Sequence, residues 1–310
     1  HTSGPFITDS LREGILFAIE QRPDYLALSF VSSTEDIAGV RAILHENNVD
    51  IPIIAKIERG EAVNKFGSIL QDSDGIMVAR GDLSVDIPLE RVPLVQKEII
   101  RRCNQAGKPV ITATEMLESM VNSVRPTRAE TTDVANAIFD GTDATMLSAE
   151  TSIGKYPVQS VRMMAKIAAE AEKKLPYEQM LTERGRWLEP QTDELISYNA
   201  CHTAHSLGAA VIVAFTQSGS TAGRVSKYRP SMPILAITPS NIVSGRLLLR
   251  WGVYPLQIAG PSSVDELFVT ASKLCKDLGL VKPGDLVVIT AGIPLGEAGS
   301  TNLLKVHKIH

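Results

Sequence analysis

The sequence predicts an α/β protein built as two successive strand-and-helix units. Three observations lead to this. Between residues 8 and 174, short apolar runs alternate with stretches of helical period, and the connections are short. The apolar runs are β-favouring and end in charged or hydroxyl residues, the pattern of parallel strands buried on both faces. Residues 176–190 then break the rhythm with Pro176, an Arg/Glu-rich patch and Pro190, after which the alternation resumes. The expected domains are therefore residues 1–176 and residues 190–310.

In the first unit, Leu11 to Gln21 has helical period and Tyr25 to Phe30 reads as a strand. Thr34 to Glu46 is a helix, with Ser33 or Thr34 as N-cap and Glu35-Asp36 facing the positive end of its dipole. A strand at Ile53, a helix near Glu61 to Leu70 and a strand at Gly75 follow. Val92 to Gln105 is amphipathic and stops at Gly107-Lys108-Pro109, before a strand at Val110 to Thr114. Thr127-Arg128-Ala129-Glu130 has the form of a capping box and opens a helix to Phe139. Ala144 to Ser148 is the fifth strand, and Tyr156-Pro157 starts a helix that runs to about Lys174. Such alternation with right-handed crossovers gives a parallel sheet. Five strands are too few to close a (β/α)8 barrel, which takes eight and roughly 250 residues.

The second unit repeats the style without repeating the sequence. Helices are expected at Glu194 to Leu207, Thr221 to Tyr228, Ile242 to Arg250 and Val264 to Leu278. Strands are expected at Val211 to Phe215, Ile234 to Ile237, Gly252 to Leu256, Asp285 to Thr290 and Leu303 to His307.

Composition narrows the function classes. Hydrophobic residues at 44% and charged residues at 21% are those of a soluble globular protein. A net charge of -4 offers no basic field for nucleic acid, and no helix reads as a basic membrane binder. No apolar run approaches the roughly 18–20 residues that span a bilayer. Cys103, Cys201 and Cys275 lie far apart without CxxC spacing, so a reducing, cytoplasmic setting is expected. The start, His1-Thr2-Ser3-Gly4, lacks Met and any signal pattern, and reads as an engineered start, a cleavage product or a fragment.

The stretch from Ile51 to Asp86 carries the most chemistry. Ile53-Ile54-Ala55-Lys56-Ile57-Glu58 and Gly75-Ile76-Met77-Val78-Ala79-Arg80-Gly81-Asp82 both end in charge, where ligands bind in parallel α/β proteins. Lys56 and Glu58 are two apart on a strand and point the same way. Glu58 and Asp82 are hard oxygen donors suited to Mg2+ or Mn2+. Lys56 beside them is a fixed cation for the negative charge that develops in phosphoryl transfer. Gly81 lets backbone N–H groups approach an anion closely. Each feature has a plainer reading: a structural Lys56–Glu58 ion pair, an Asp82 helix cap, and Thr112 and Thr114 as ordinary strand residues.

In the second unit, Thr216-Gln217-Ser218-Gly219-Ser220-Thr221 joins a strand to a helix and offers hydroxyls and free helix N–H groups to a phosphate. It lacks the Gly-Lys-Ser/Thr ending of a Walker A loop, and a helix cap rich in small residues is the alternative. The nearest cations are Arg224 and Lys227. A second loop of small residues, Ala291 to Ser300, is placed to close over the same ligand. His202 and His205 are three apart on a helix without a third ligand and are read as ordinary helix residues.

These blocks resemble the pyruvate kinase family. Ile53 to Val63 is similar to its active-site signature, and Asp74 to Leu83, Gly107 to Met120, Arg125 to Asp133 and Met146 to Thr151 follow its further blocks in order. Thr216 to Ala222 and Gly284 to Val306 resemble its C-terminal regulatory domain. The resemblance implies a partial TIM barrel, five of eight strands, followed by a separate sandwich-like α/β domain. It implies phosphoryl transfer from phosphoenolpyruvate to ADP, giving pyruvate and ATP. Lys56 would stabilise the transferring phosphoryl and the enolate, and Glu58 and Asp82 would hold Mg2+ or Mn2+. The backbone of Ala79, Arg80, Gly81 and Asp82 would hold the substrate carboxylate, with Thr114 where enolpyruvate is protonated. Thr216 to Thr221 would take a sugar-phosphate or AMP effector, and the family is typically a homotetramer.

Some positions depart from the family pattern: Glu115 stands where glutamine is usual, and Ser84 and Ala149 where glycine is common. The family's first three barrel strands and lid domain have no counterpart, and with them go the K+ site and much of the nucleotide contact. Inefficient turnover by the chain alone is therefore expected. Two alternatives stay open: a phosphate-sensing regulatory fragment, and another metal-dependent phosphoenolpyruvate or pyruvate barrel enzyme.

Overall fold

The apolar runs of the first unit become the strands of one parallel sheet, whose order follows the chain. In the computed structural model, residues 5–296, 299 and 301–310 are described, and the chain divides into two units between Leu175 and Pro176. The first unit begins with α1 (Asp9–Gln21), β1 (Leu26–Leu28), α2 (Thr34–Glu46) and β2 (Ile53–Ile57). Then come α3 (Gly60–Asn64), α4 (Phe66–Asp72), β3 (Gly75–Ala79), α5 (Arg80–Asp86) and α6 (Val92–Ala106). It finishes with β4 (Val110–Ala113), α7 (Arg128–Asp140), β5 (Ala144–Met146), α8 (Ala149–Ser152) and α9 (Pro157–Glu172). The sheet order is β1-β2-β3-β4-β5, with Leu26 opposite Ile53, Ala55 opposite Ile76 and Thr112 opposite both Val78 and Thr145.

Strand parity decides which side chains are free for chemistry. Ile53, Ala55 and Ile57 of β2 are buried in the core with Ile37 and Val40 of α2 and Ile69 of α4. The two-residue period therefore sends Ile54, Lys56 and Glu58 to the opposite face.

Local differences from the sequence expectation have physical causes. The strand expected to reach Phe30 stops at Leu28, because Phe30 adopts a left-handed backbone (φ 58°) and turns its N–H onto Glu58. The helix expected over 61–70 is two helices, since the backbone at Lys65 (φ -99°, ψ 13°) leaves the helical track. That turn buries Phe66, Ile69 and Leu70. The plainer reading of Asp82 as a helix cap put a helix after it, but α5 starts directly after β3 with Ala79 as its N-cap residue, so Asp82 lies inside the first turn.

The capping box at α7 forms as its sequence implies. Thr127 Oγ1 accepts from Glu130 N, and Glu130 in turn accepts from Thr127 N and from Ser119 N and Oγ. Burial alone would raise the Glu130 carboxyl, but these hydrogen bonds to its charged form outweigh it and hold the pKa below the ordinary 4.5. With the folded-state value depressed, the stabilisation is present above pH 4.5 and is lost as pH falls below that through the folded value. Glu130→Gln is expected to cost about 1 kcal/mol at neutral pH, the usual worth of a cap. The difference in urea midpoint from the unaltered chain should shrink as pH drops below 4.5.

The second unit opens with α10 (Tyr177–Gly185) and α11 (Thr192–Leu207), then β6 (Val211–Phe215), α12 (Ser220–Lys227), β7 (Ile234–Thr238) and α13 (Asn241–Leu247). After β8 (Val253–Gln257) and α14 (Val264–Asp277) it closes with β9 (Leu286–Gly292) and β10 (Thr301–Lys308). The stretch read as a break at 176–190 contains α10. Its Leu181 enters this unit's core, and its buried Arg184 donates to the Lys227 carbonyl at 2.6 Å, so the charge-rich patch is packed rather than solvated. The strand order is β10-β9-β6-β7-β8, parallel except for the antiparallel β10–β9 pair. The chain runs from β6 to β7 on one side while β9 returns on the other. A crevice is thereby left between the carboxyl ends of β6 and β9, the topological switch point of an open parallel sheet.

Candidate functional site

Two places collect the chemistry: the carboxyl edge of the first sheet, and the switch point of the second. On the first sheet, β2 ends by presenting Lys56 and Glu58 from one face. Lys56 Nζ lies 2.7 Å from Glu58 Oε1 and donates to Ser29 Oγ, also at 2.7 Å. Glu58 is 1% exposed, and its Oε2 accepts from Phe30 N at 2.5 Å. Oε1 has the charge contact with Lys56 but accepts no directed hydrogen bond, so a buried carboxylate oxygen keeps its lone pairs. The Lys56 ammonium at 2.7 Å already compensates its charge, and its remaining lone pairs are what a divalent ion would share. Arg59 stacks on Phe30, 5.2 Å from the ring centroid, and braces the turn that delivers the Phe30 N–H.

The neighbouring strand ends form a second cluster. β4 stops at Ala113 because Thr114 and Glu115 both take left-handed backbones, φ 67° and 54°, which residues other than glycine seldom adopt. Arg80 holds this turn. Its buried guanidinium donates to the Thr114 carbonyl from Nε (3.2 Å) and Nη2 (2.7 Å), and Nη1 meets Asp133 Oδ2 at 2.6 Å. Gly81 N donates to Thr114 Oγ1 at 2.8 Å, and that hydroxyl donates to the Ala113 carbonyl at 2.6 Å.

The structure thus brings Lys56 together with Glu58, and Arg80 and Gly81 together with Thr114. Ala79 is buried at the end of β3. Asp82 is exposed on α5 and makes no hydrogen bond or ion pair among the described residues. The Arg80 side chain is spent on Thr114 and Asp133, and the Gly81 N–H already serves Thr114, so neither is an idle donor. No three of the described His, Cys, Asp and Glu residues gather as a metal set. Mg2+ commonly takes one or two protein carboxylates and keeps water and substrate oxygens, so Glu58 suits a divalent ion. Asp82 lies three residues beyond the end of β3, the strand paired with β2, and no hydrogen bond or ion pair among the described residues links it to Glu58. Ser29, Phe30, Arg59 and Asp133 were missed from sequence. Their roles arise from backbone turns and pairings 27 to 53 residues apart, for which a single sequence carries no signal.

At the switch point, Gly219 (φ 88°) caps α12 and donates its N–H to Thr216 Oγ1 at 2.9 Å. Ser218 Oγ donates to Ser220 Oγ at 3.1 Å, and Thr221 shares a buried 2.7 Å hydroxyl contact with Thr301. A cavity of about 300 Å³ opens there, bounded by Thr216, Gln217, Ser220 and Thr221 on one side and by Gly292 and Leu295 on the other. The two loops expected to share a ligand do face one space; Glu297, Ala298 and Ser300 lie outside the described residues. Gly260, Pro261 and Ser262 add a wall that the sequence did not suggest. Arg224 and Lys227 do not serve this cavity. Arg224 pairs with Asp193 at 2.6 Å and Lys227 with Glu194 at 3.0 Å.

No helix among the described residues is long and apolar enough to cross a membrane. Comparison with known proteins finds the barrel domain of pyruvate kinase over residues 2–161 and the alpha/beta domain of pyruvate kinase over 194–307. The chain is 47% identical to a pyruvate kinase of Clostridium acetobutylicum, covering 98% of this chain and 65% of that protein. It is 50% identical to those of Geobacillus stearothermophilus and Bacillus licheniformis, covering 98% of this chain and 52% of each. The chain therefore spans between half and two thirds of the length of these relatives.

Proposed function

Because the chain belongs to the pyruvate kinase family, we propose that it carries out its part of the glycolytic phosphoryl transfer from phosphoenolpyruvate to ADP at the carboxyl edge of the first sheet. In that reaction the bond from phosphorus to the enolate oxygen breaks and one to the ADP terminal phosphate forms. The enolate carbon then takes up a proton to give pyruvate. The observation that carries the reading is the buried Glu58, with one oxygen accepting no hydrogen bond and Lys56 beside it.

Glu58 and Asp82 would hold Mg2+ or Mn2+, which when bound supplies positive charge against the phosphoryl and enolate oxygens. Lys56, pinned by Ser29 and Glu58, is a preorganised cation for the same developing charge. The Ala79–Asp82 backbone would orient the substrate carboxylate through N–H groups other than that of Gly81, which Thr114 Oγ1 already takes. The Thr114 hydroxyl, aimed by Gly81 and by the Arg80 clamp, would sit at the carbon that is protonated. K+ is expected of the family, and no described residue is assigned to it. The whole protein would work as a cytoplasmic homotetramer.

Calorimetric titration of phosphoenolpyruvate into the chain with Mn2+ present tests the assignment. Lys56→Met should weaken binding by about ten- to a hundredfold, the worth of a charged hydrogen bond. Equal affinity in the variant excludes Lys56 from the site.

The crevice of the second unit is read as an effector phosphate site formed by Thr216, Gln217, Ser218, Gly219, Ser220 and Thr221. This second unit also weighs against another phosphoenolpyruvate or pyruvate barrel enzyme, whose chemistry gives no reason to carry such a domain.

A further inference from the structure

We infer that Asp86 is a positioning residue for the divalent-ion site: it ties α5 to the turn after β2 and so sets where Asp82 stands relative to Glu58. The inference rests on reading Glu58 and Asp82 as the two carboxylates for Mg2+ or Mn2+, and adds what holds them in register.

The sheet does not fix that register. Its β2–β3 pairing runs from Ile54 opposite Gly75 to Ile57 opposite Val78 and ends there. Glu58 is the first residue after β2, and Asp82 lies three residues beyond β3, in the first turn of α5. Past Ile57 and Val78 the ladder no longer holds the two segments together.

One contact crosses the gap. Asp86 Oδ2 accepts the Gly60 N–H at 2.5 Å, a hydrogen bond to a charged acceptor and so stronger than a neutral one. Gly60 is two residues past Glu58 and opens α3. The approach is close enough to favour glycine, because a Cβ there would meet Ile87 Cγ2 at 3.1 Å and Asp86 Oδ2 at 3.3 Å. Ile87 in turn packs against the core of the first unit, so this corner is seated as well as tied.

Helix geometry carries the tie to Asp82. Asp82 and Asp86 are four residues apart in one helix and therefore stand one above the other on the same face. The face of α5 pinned beside the exit of β2 is thus the face that carries Asp82, about 5.4 Å along the axis from the anchor. The opposite side of the helix buries Arg80 and Leu83.

Asp86 is poorly placed for the stability of its own helix. It is the last residue of α5, where the dipole disfavours an anion, and no basic residue accompanies it in that turn. It is also exposed, so packing does not call for it. What its carboxylate gains is the N–H at the start of α3, across the gap between the strand ends that carry Glu58 and Asp82.

Titration of Mn2+ into the full chain, followed by electron paramagnetic resonance, reads the effect. Asp86→Ala should weaken Mn2+ binding by about tenfold, the lower end of what an outer partner of a metal ligand is worth. Asp86→Asn keeps an acceptor oxygen of the same reach and should bind Mn2+ to within about threefold of the unaltered chain. A double-mutant cycle shows through which residue Asp86 acts. On an Asp82→Asn chain, Asp86→Ala should cost less than about twofold, because the carboxylate that it places is gone. A merely structural role would lower Mn2+ affinity by the same factor with and without the Asp82 carboxylate. Circular dichroism checks that each variant stays folded.

Unchanged Mn2+ affinity in Asp86→Ala, or an equal loss on both backgrounds, overturns the inference and leaves the metal site standing. Asp86→Asn as weak as Asp86→Ala shows that charge acts rather than the tie, and overturns it too. Mn2+ binding that Glu58→Gln or Asp82→Asn leaves intact overturns the metal-site reading itself, and the inference with it.

Discussion

Glu58→Gln is expected to lower the affinity of the chain for Mn2+ by more than about a hundredfold, beyond what loss of an outer-shell partner causes. The substitution keeps the size of the side chain and leaves an amide oxygen to accept from Phe30 N, so the turn at Phe30 should survive. What it removes is the charge on a nearly fully buried oxygen pair, and with it one of the two carboxylates a divalent ion would use. It also leaves the Lys56 ammonium facing a neutral group 2.7 Å away, so the cation would be held by Ser29 alone. Titration of Mn2+ followed by its electron paramagnetic resonance signal measures the effect, and circular dichroism checks that the chain stays folded. A Glu58→Gln chain that binds Mn2+ as well as the unaltered one would show that the Lys56–Glu58 pair is structural only.

The second large effect concerns stability. Arg80→Met is expected to cost about 3 kcal/mol, the lower end of the range for breaking a buried ion pair from one side. The lower end applies because Asp133 is still 37% exposed while Arg80 is 9% exposed. The methionine would fill much of the space but would orphan the Thr114 carbonyl, which takes hydrogen bonds from two guanidinium nitrogens. Thr114 and Glu115 hold left-handed backbones that only surrounding contacts maintain, so their turn should relax as the clamp is removed. Arg80→Lys should recover only part of the loss, because a single ammonium cannot reproduce the planar fork that reaches Thr114 and Asp133 together. Urea unfolding at neutral pH gives the comparison. A loss of under about 0.5 kcal/mol in Arg80→Met, as for an ordinary surface change, would remove the clamp from the account.

The sequence made the scaffold legible where short-range rules apply. The two-residue strand period put Lys56 and Glu58 on one face, and Thr127 with Glu130 announced the start of α7. The loops at Thr216 and Ala291 were readable as small-residue turns after strands, and they do share a cavity. What stayed hidden depends on long-range pairing. Arg80 looked like part of an anion-binding turn, yet its guanidinium is taken by Thr114, 34 residues on, and Asp133, 53 residues on. Phe30 looked like a strand residue, and only its left-handed turn toward Glu58 ends the strand. Arg224 and Lys227 looked available to a phosphate until Asp193 and Glu194 were found beside them. Helix α10 looked like a linker because its charges are conspicuous and its packing residues few. For Arg224 and Lys227 the local element was read correctly and distant partners decide the role, whereas at Phe30, Arg80 and α10 the local element itself differs from the reading, because contacts far away in the chain set it.

The central claim is that Lys56, Glu58 and Asp82 form one site for a divalent ion and phosphoenolpyruvate together. Binding linkage tests it most directly, because two ligands that share a site must change each other's affinity by the same factor. Mn2+ should be titrated into the unaltered chain with and without saturating phosphoenolpyruvate, and phosphoenolpyruvate with and without Mn2+. The account predicts that each tightens the other by about tenfold or more, equally in both directions, and that Asp82→Asn reduces the effect. Mn2+ and phosphoenolpyruvate that bind with no influence on each other would contradict it.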